Sequence, residues 1–86
     1  MMLHKLKIKR HFIDDIIANK KTFEIRKDDR NFAVGDLISF TSPKSWELWP
    51  LLLYEITYKL SFEDFPDGLK ENYCILGIRK IEEFIK

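Results

Sequence analysis

Apolar and polar positions alternate in several stretches of this chain, and one early segment between the first two of them follows a helical period instead. In residues 2–9, His4, Leu6 and Ile8 alternate with Leu3, Lys5, Lys7 and Lys9, which predicts a first strand with one core face. His4 falls on that face, where a satisfied, half-buried histidine is the ordinary expectation. Residues 10–18 switch to a helical period. Phe12, Ile13, Ile16 and Ile17 make one stripe, with Asp14 and Asp15 on the other side, early in the segment where the helix dipole favours anions. Asn19 suits the left-handed residue that ends a helix, and Lys20 and Lys21 then stand beside the negative end of the dipole. Residues 22–26 return to a period of two: Thr22, Glu24 and Arg26 share one face, Phe23 and Ile25 the other. The expectation is a strand anchored in the core by Phe23 and Ile25, presenting a carboxylate and a guanidinium side by side on its polar face, with Lys21 next to them.

Residues 27–32 form a charged loop, and residues 33–36 a turn in which Gly35 supplies unusual backbone angles and Asp36 bonds neighbouring amides. Residues 37–41 read as a strand. Residues 42–50 form a loop carrying Trp46 and Trp49. Residues 51–60 are the clearest strand, with Leu52, Tyr54, Ile56, Tyr58 and Leu60 on one face. A loop around Phe65-Pro66-Asp67-Gly68 follows over residues 61–72. In the last strand, 73–78, Cys74, Leu76 and Ile78 alternate with Tyr73, Ile75 and Gly77, and Gly77 marks a bulge or a close backbone approach. Residues 79–86 either extend this strand or add a short tail helix. The order β-α-β-β-β-β cannot make a doubly wound parallel sheet. It predicts an α+β, mostly β domain spanning residues 1–86: a small, strongly bent, mostly antiparallel sheet or partly open barrel, plugged on one side by the helix. The expected core is Phe23, Ile25, Ile38, Phe40, Leu52, Tyr54, Ile56, Leu76 and Ile78, closed by Phe12, Ile16 and Ile17.

Composition narrows the chemistry. Eighty-six residues make one domain whose core is small, so seven phenylalanines, two tryptophans and three tyrosines must supply much of it. The formal net charge is only +1. A general polyanion binder carries a stronger imbalance, so any nucleic-acid contact rests on local clusters. Such clusters exist at Lys5, Lys7, Lys9 and Arg10, and again at Lys20, Lys21, Arg26, Lys27 and Arg30. The single cysteine, Cys74, excludes an internal disulfide and a cysteine-based zinc site, and its apolar setting marks a small core residue. With two histidines in the chain, a multi-histidine metal site is excluded as well, and neither metal nor cofactor is expected. The longest apolar run, residues 48–54, is too short to span a bilayer, and no signal peptide is visible. A reducing, cytoplasmic setting is expected.

The candidate chemistry concentrates in residues 19–30. The segment Asn19 to Arg26 resembles the G-x-K-x-x-E-x-R signature of the ASCH domain, a member of the PUA-like superfamily of small β-barrels. Lys21, Glu24 and Arg26 keep the signature's spacing, and Asn19 replaces its glycine with the residue that best tolerates the same left-handed backbone. His4-Lys5-Leu6-Lys7-Ile8, Phe32-Ala33-Val34-Gly35-Asp36 and Tyr73-Cys74-Ile75-Leu76-Gly77-Ile78 extend the likeness to a compact phage and bacterial single-domain subfamily of unknown function. The resemblance implies a PUA-like barrel and a nucleic-acid or nucleotide ligand.

Two functions compete. In the first, the chain binds RNA or a nucleotide-like small molecule. Lys21, Thr22, Arg26, Lys27 and Arg30 contact phosphate or base acceptors, Glu24 orients Arg26 or accepts from an exocyclic amine, and Trp46 or Tyr73 stacks on the base. In the second, which the resemblance also implies, the chain is a metal-independent amidohydrolase acting on a modified nucleoside. Small bacterial ASCH proteins similar in the first third of the chain hydrolyse N4-acetylcytidine, and their catalytic lysine matches Lys21. Glu24, which stands where they have threonine, would shuttle protons. Their remote catalytic glutamate has no clear counterpart here, with Glu63, Asp64 and Glu71 as the substitutes. A third reading is a protein partner. The plain alternative to all three is a solvated surface pair at Glu24 and Arg26.

Overall fold

The computed structural model describes residues 1–41 and 53–81. Among these residues five strands and one α-helix follow in the order β1 (Leu3–Lys7), α1 (Arg10–Ile17), β2 (Phe23–Lys27), β3 (Leu37–Thr41), β4 (Leu53–Ser61) and β5 (Tyr73–Lys80), with a 3-10 turn at Phe62–Asp64 between the last two strands. The strands form one sheet in the order β1-β3-β4-β5-β2. Every neighbouring pair is antiparallel except β1 and β3, which run parallel. The sheet curls into a half-barrel, so the domain is α+β and mostly β. No helix among the described residues is long and apolar enough to cross a membrane.

The core fills the concave side. Leu6, Ile8, Ile13, Ile16, Phe32, Ile38, Phe40, Tyr54, Ile56, Cys74, Leu76 and Ile78 form one buried cluster, with Phe12 packed against its margin. The helix contributes Ile13 and Ile16, and Tyr54 donates its hydroxyl to the Ile16 carbonyl at 3.2 Å, tying helix to sheet. Ile17, placed on the inward stripe by its spacing, is exposed. Asp14 and Asp15 lie beyond the first helical turn, where the dipole no longer acts on them, and Lys9 caps the helix without a side-chain bond. Leu52, Trp46, Trp49 and the proposed tail helix of residues 79–86 lie wholly or partly outside the described residues; β5 runs on to Lys80, and Ile81 is buried.

The helix stops as its sequence predicts. Asn19 has φ of 60°. The Lys20 amide donates to the Asp15 carbonyl at 2.8 Å and the Asn19 amide to the Ile16 carbonyl at 3.1 Å, which is a complete Schellman motif. The Lys21 amide also reaches the Asp15 carbonyl, at 3.0 Å. This termination turns the chain back towards the sheet and fixes where Lys21 starts. Asn19→Ala forces a Cβ-bearing residue with no local side-chain bond into the left-handed region, at about 1 kcal/mol, and is expected to lower the melting temperature by about 4–8 °C. Asn19→Gly is expected to preserve or raise it. Thermal melts of the two variants check this, and equal melting temperatures would contradict it.

Two sequence expectations are inverted. Phe23 and Ile25 do not anchor β2 in the core: they are 45% and 53% exposed, while Glu24 is only 6% exposed. The register with β5 decides this. Glu24 lies directly opposite Leu76 and Arg26 opposite Cys74, and paired residues share a face. Leu76 and Cys74 are fully buried, so Glu24 and Arg26 are carried to the concave side with them. The second inversion lies in β4. Ile56 pairs with Ile78 and Tyr58 with Gly77, leaving Thr57 as an extra residue, so a bulge sits opposite Gly77. Side-chain parity flips there. Tyr58 becomes 64% exposed, and Lys59 turns inward to bond Asp28 Oδ1 and the Phe32 carbonyl, each at 3.0 Å.

Candidate functional site

The half-barrel is open between its edge strands, β1 and β2, and a cleft of about 670 Å³ lies at that opening. Lys7, Ile8 and Lys9 line it from β1 and the residues after it, Phe12 and Asp15 from α1, and Lys20, Lys21, Phe23, Glu24, Ile25 and Arg26 from the helix exit and β2. Five cationic side chains face two carboxylates, so the cleft is far more positive than the chain as a whole.

Glu24 is the centre of the site. Its Oε1 accepts from Lys21 Nζ at 2.6 Å, and its Oε2 accepts from Arg26 Nε at 2.8 Å and lies 2.7 Å from the charged Nη2. One buried carboxylate thus holds two cations, one on each oxygen. Lys21 Nζ also donates to the Phe23 carbonyl at 2.7 Å and lies 5.2 Å and 5.0 Å from the ring centres of Phe12 and Phe23. These aromatic faces offset part of its desolvation. Arg26 Nη2 reaches across the opening to the Lys7 carbonyl, and Arg30 Nη1 reaches the Lys5 carbonyl at 3.0 Å. In a strand, successive carbonyls point to opposite edges, and Ile8 is the one that donates to Thr41 of β3. The carbonyls of Lys5 and Lys7 therefore belong to the free edge of β1, and two arginines cap it.

The other expected site residues scatter. Thr22 is exposed and its carbonyl serves the Ile78 amide, outside the cleft. Lys27 pairs with Tyr73 on the convex face of the sheet, where Lys70 Nζ lies 5.5 Å from the Tyr73 ring centre. Arg30 stitches the sheet edge and does not line the cleft. Glu63, Asp64 and Glu71 are exposed and do not line it either; Asp64 is engaged by the Ser61 amide. Trp46 lies outside the described residues. Sequence reasoning missed Lys9, Lys20 and Asp15 as lining residues. The basic clusters were visible, and what joins them is the turn at Asn19, which lays residues 20–21 beside residues 7–9.

A second buried polar unit supports the site from the other end of β1. His4 Nε2 donates to Asp36 Oδ2 at 2.9 Å, and the carboxylate also accepts the amides of Met2 at 3.0 Å and Ala33 at 3.1 Å. Because an ionised carboxylate only accepts, the His4 proton shared here sits on Nε2. The bond from His4 is the largest influence holding the Asp36 carboxyl below its ordinary value of 3.8. Cys74 is a buried core thiol that burial, above all, pushes up to about 11, which leaves no thiolate near neutral pH. Among the described residues no cluster of three His, Cys, Asp or Glu side chains is placed to hold a metal ion.

The fold has a counterpart among solved structures, and the comparisons with known proteins assign no activity. The crystal structure of hypothetical protein PH0355 superposes with a TM-score of 0.63 over 94% of this chain and 100% of that one, at 18% identity, a likeness that extends to the fold alone. No curated protein matches the chain. The family model of DUF3850, a domain of unknown function, matches residues 3–78, and the chain belongs to that family.

Proposed function

We propose that the chain is an ASCH-type, PUA-like module that binds a short nucleic-acid or nucleotide-like ligand in the cleft between β1 and β2. The observation that carries this reading is the convergence of Lys21, Glu24 and Arg26, at the spacing of the ASCH signature, in a concave and locally cationic cleft. Each oxygen of Glu24 is engaged by a cation, and on this reading its role is to position them. Lys20, Lys9 and the outward donors of Arg26 then meet phosphate or base oxygens, while Ile8 and Phe12 supply apolar wall. A cleft of about 670 Å³ suits a ligand of nucleotide size. The near-neutral chain as a whole favours a short ligand over a long duplex.

Lys9 and Lys20 are the residues to test, because both are exposed and neither is needed to neutralise Glu24. In calorimetric titrations with nucleoside monophosphates and short RNA, Lys9→Ala and Lys20→Ala are each expected to weaken binding several-fold. Together they are expected to cost about tenfold and to flatten its salt dependence. Failure of every nucleotide and oligonucleotide to bind, or indifference to the double substitution, would refute the proposal.

One contact favours a second reading, the amidohydrolase. Lys21 Nζ and Glu24 Oε1 are 2.6 Å apart, close enough to pass a proton. Release of cytidine from N4-acetylcytidine, abolished by Lys21→Ala, would establish catalysis.

A further inference from the structure

The two edge strands face each other across the opening with an uneven supply of donors and acceptors. In β1, the Ile8 amide donates to the Thr41 carbonyl and the Met2 carbonyl accepts from the Leu37 amide, so even-numbered residues serve β3. Lys5 and Lys7 therefore turn their main-chain groups to the opening. In β2, the Thr22 carbonyl accepts from the Ile78 amide and the Asp28 amide donates to the Asn72 carbonyl, so even-numbered residues serve β5. Phe23, Ile25 and Lys27 turn theirs to the free edge. Four of these five carbonyls are already engaged. Arg30 Nη1 meets that of Lys5, and Arg26 Nη2 that of Lys7. Lys21 Nζ meets that of Phe23, and the Asp29 amide that of Lys27. None of the five amides meets an acceptor among the described residues. The free edges have spent their acceptors and kept their donors.

We infer that the main-chain amides of Lys7 and Ile25 form a phosphate seat in the gap between β1 and β2. This deepens the nucleotide-binding function proposed above, on which the identity of the ligand rests. Both residues line the cleft, although the parity of their strands sends their side chains to the convex face; what they bring to the cleft is their main-chain edge. An oxyanion only accepts, so it suits a row of donors without acceptors. An added peptide strand needs donors and acceptors in alternation, and here the acceptors are taken. Paired strands lie about 4.8 Å apart, whereas the side chains of Arg26 and Arg30 bridge these two edges, so an ion has room between them. Arg26, Lys9 and Lys20 line the same cleft and supply the charge that neutral amides lack. Pairing with β3 and β5 holds the two strands in place, so the seat forms without ordering a side chain.

The test follows the amide signals of isotope-labelled protein by NMR during titration with AMP, inorganic phosphate and adenosine. AMP and phosphate are expected to move the Lys7 and Ile25 amide protons downfield, and by more than those of Leu6 and Glu24, which serve β3 and β5. Adenosine is expected to leave them in place. Ile25→Pro deletes one donor without breaking a bond to β5, because that amide faces the free edge. Measured against Ile25→Ala, the reference for the lost side chain, it is expected to weaken AMP binding about tenfold. The titration needs no substitution, so it decides the matter even where the proline variant does not fold. If AMP binds while both amides stay in place, or if the two Ile25 variants bind it equally, the seat is overturned and the cleft reading stands. If phosphate moves both amides but no nucleotide binds more tightly than phosphate, the seat stands and the nucleotide reading falls. If neither phosphate nor any nucleotide binds, both are overturned. Broadening of the same amides with rising protein concentration and no ligand, together with a dimer in sedimentation, would assign the edges to a second copy of the chain and overturn the seat.

Discussion

Asp36→Ala is expected to cost this domain about 3–5 kcal/mol, the usual penalty for removing one partner of a buried, hydrogen-bonded pair. The carboxylate receives three N–H groups, from His4, Met2 and Ala33, and all three lose their acceptor together. It also anchors a junction. The Ile56 amide donates to the Asp36 carbonyl and the Leu37 amide to the Met2 carbonyl, each at 2.8 Å, so β1, β3 and β4 meet around this residue. A domain of this size has roughly 4–13 kcal/mol to lose. With a urea slope near ~1.5 kcal/mol/M, the midpoint should fall by roughly 2–3 M. A fall below about 0.5 M would place the pair with ordinary surface contacts.

The same residue makes a pH prediction. The folded state holds the Asp36 carboxyl below 3.8, so its ionised form is stabilised by folding. That contribution is present above the unfolded value and disappears as pH falls through the lower, folded one. Wild type is thus expected to lose stability as pH drops from about 4 downwards. Asp36→Asn, already less stable at neutral pH, should show a shallower decline over that window. Urea titrations at pH 6 and pH 3 on both proteins compare the two slopes, and parallel declines would contradict the assignment.

How much of this was legible beforehand depends on whether a feature is local. The Asn19 stop is local: residue type, helix end and left-handed backbone agree, and the Schellman bonds follow. Strand positions were legible from period alone, since alternation survives folding. The inverted face of β2 was not, because β5 sets it. Read in isolation, Phe23 and Ile25 look like anchors, but an edge strand whose concave side opens onto a cleft puts its polar residues inside. Gly77 announced the bulge, but the flip of Tyr58 and Lys59 follows only once Ile56 is seen to pair with Ile78 and Tyr58 with Gly77. His4 and Asp36 were each singled out for local reasons, yet they lie 32 residues apart, and only the parallel pairing of β1 with β3 joins them.

Glu24→Ala is expected to move stability and binding in opposite directions. The carboxylate lies between Lys21 and Arg26, both largely withdrawn from solvent, and its removal leaves two neighbouring cations with no counter-charge between them. Partial exposure of the cations moderates the cost to roughly 2–3 kcal/mol, below that of a fully buried pair. The freed donors are then available to an anion. Each charge-assisted hydrogen bond is worth about 1.5–3 kcal/mol, so a phosphate placed where the carboxylate was should bind about ten- to a hundredfold tighter than to wild type. Inorganic phosphate should also restore part of the lost stability, whereas a neutral nucleoside should do neither. Thermal melts with and without phosphate, and calorimetry with AMP against adenosine, measure both sides. A proton-relaying Glu24 predicts something different: any turnover of N4-acetylcytidine by wild type would vanish in Glu24→Ala with no gain in phosphate affinity. A variant that is both less stable and more avid for anions identifies Glu24 as the residue that sets the spacing of two binding cations. One that loses turnover alone identifies it as part of a catalytic pair with Lys21.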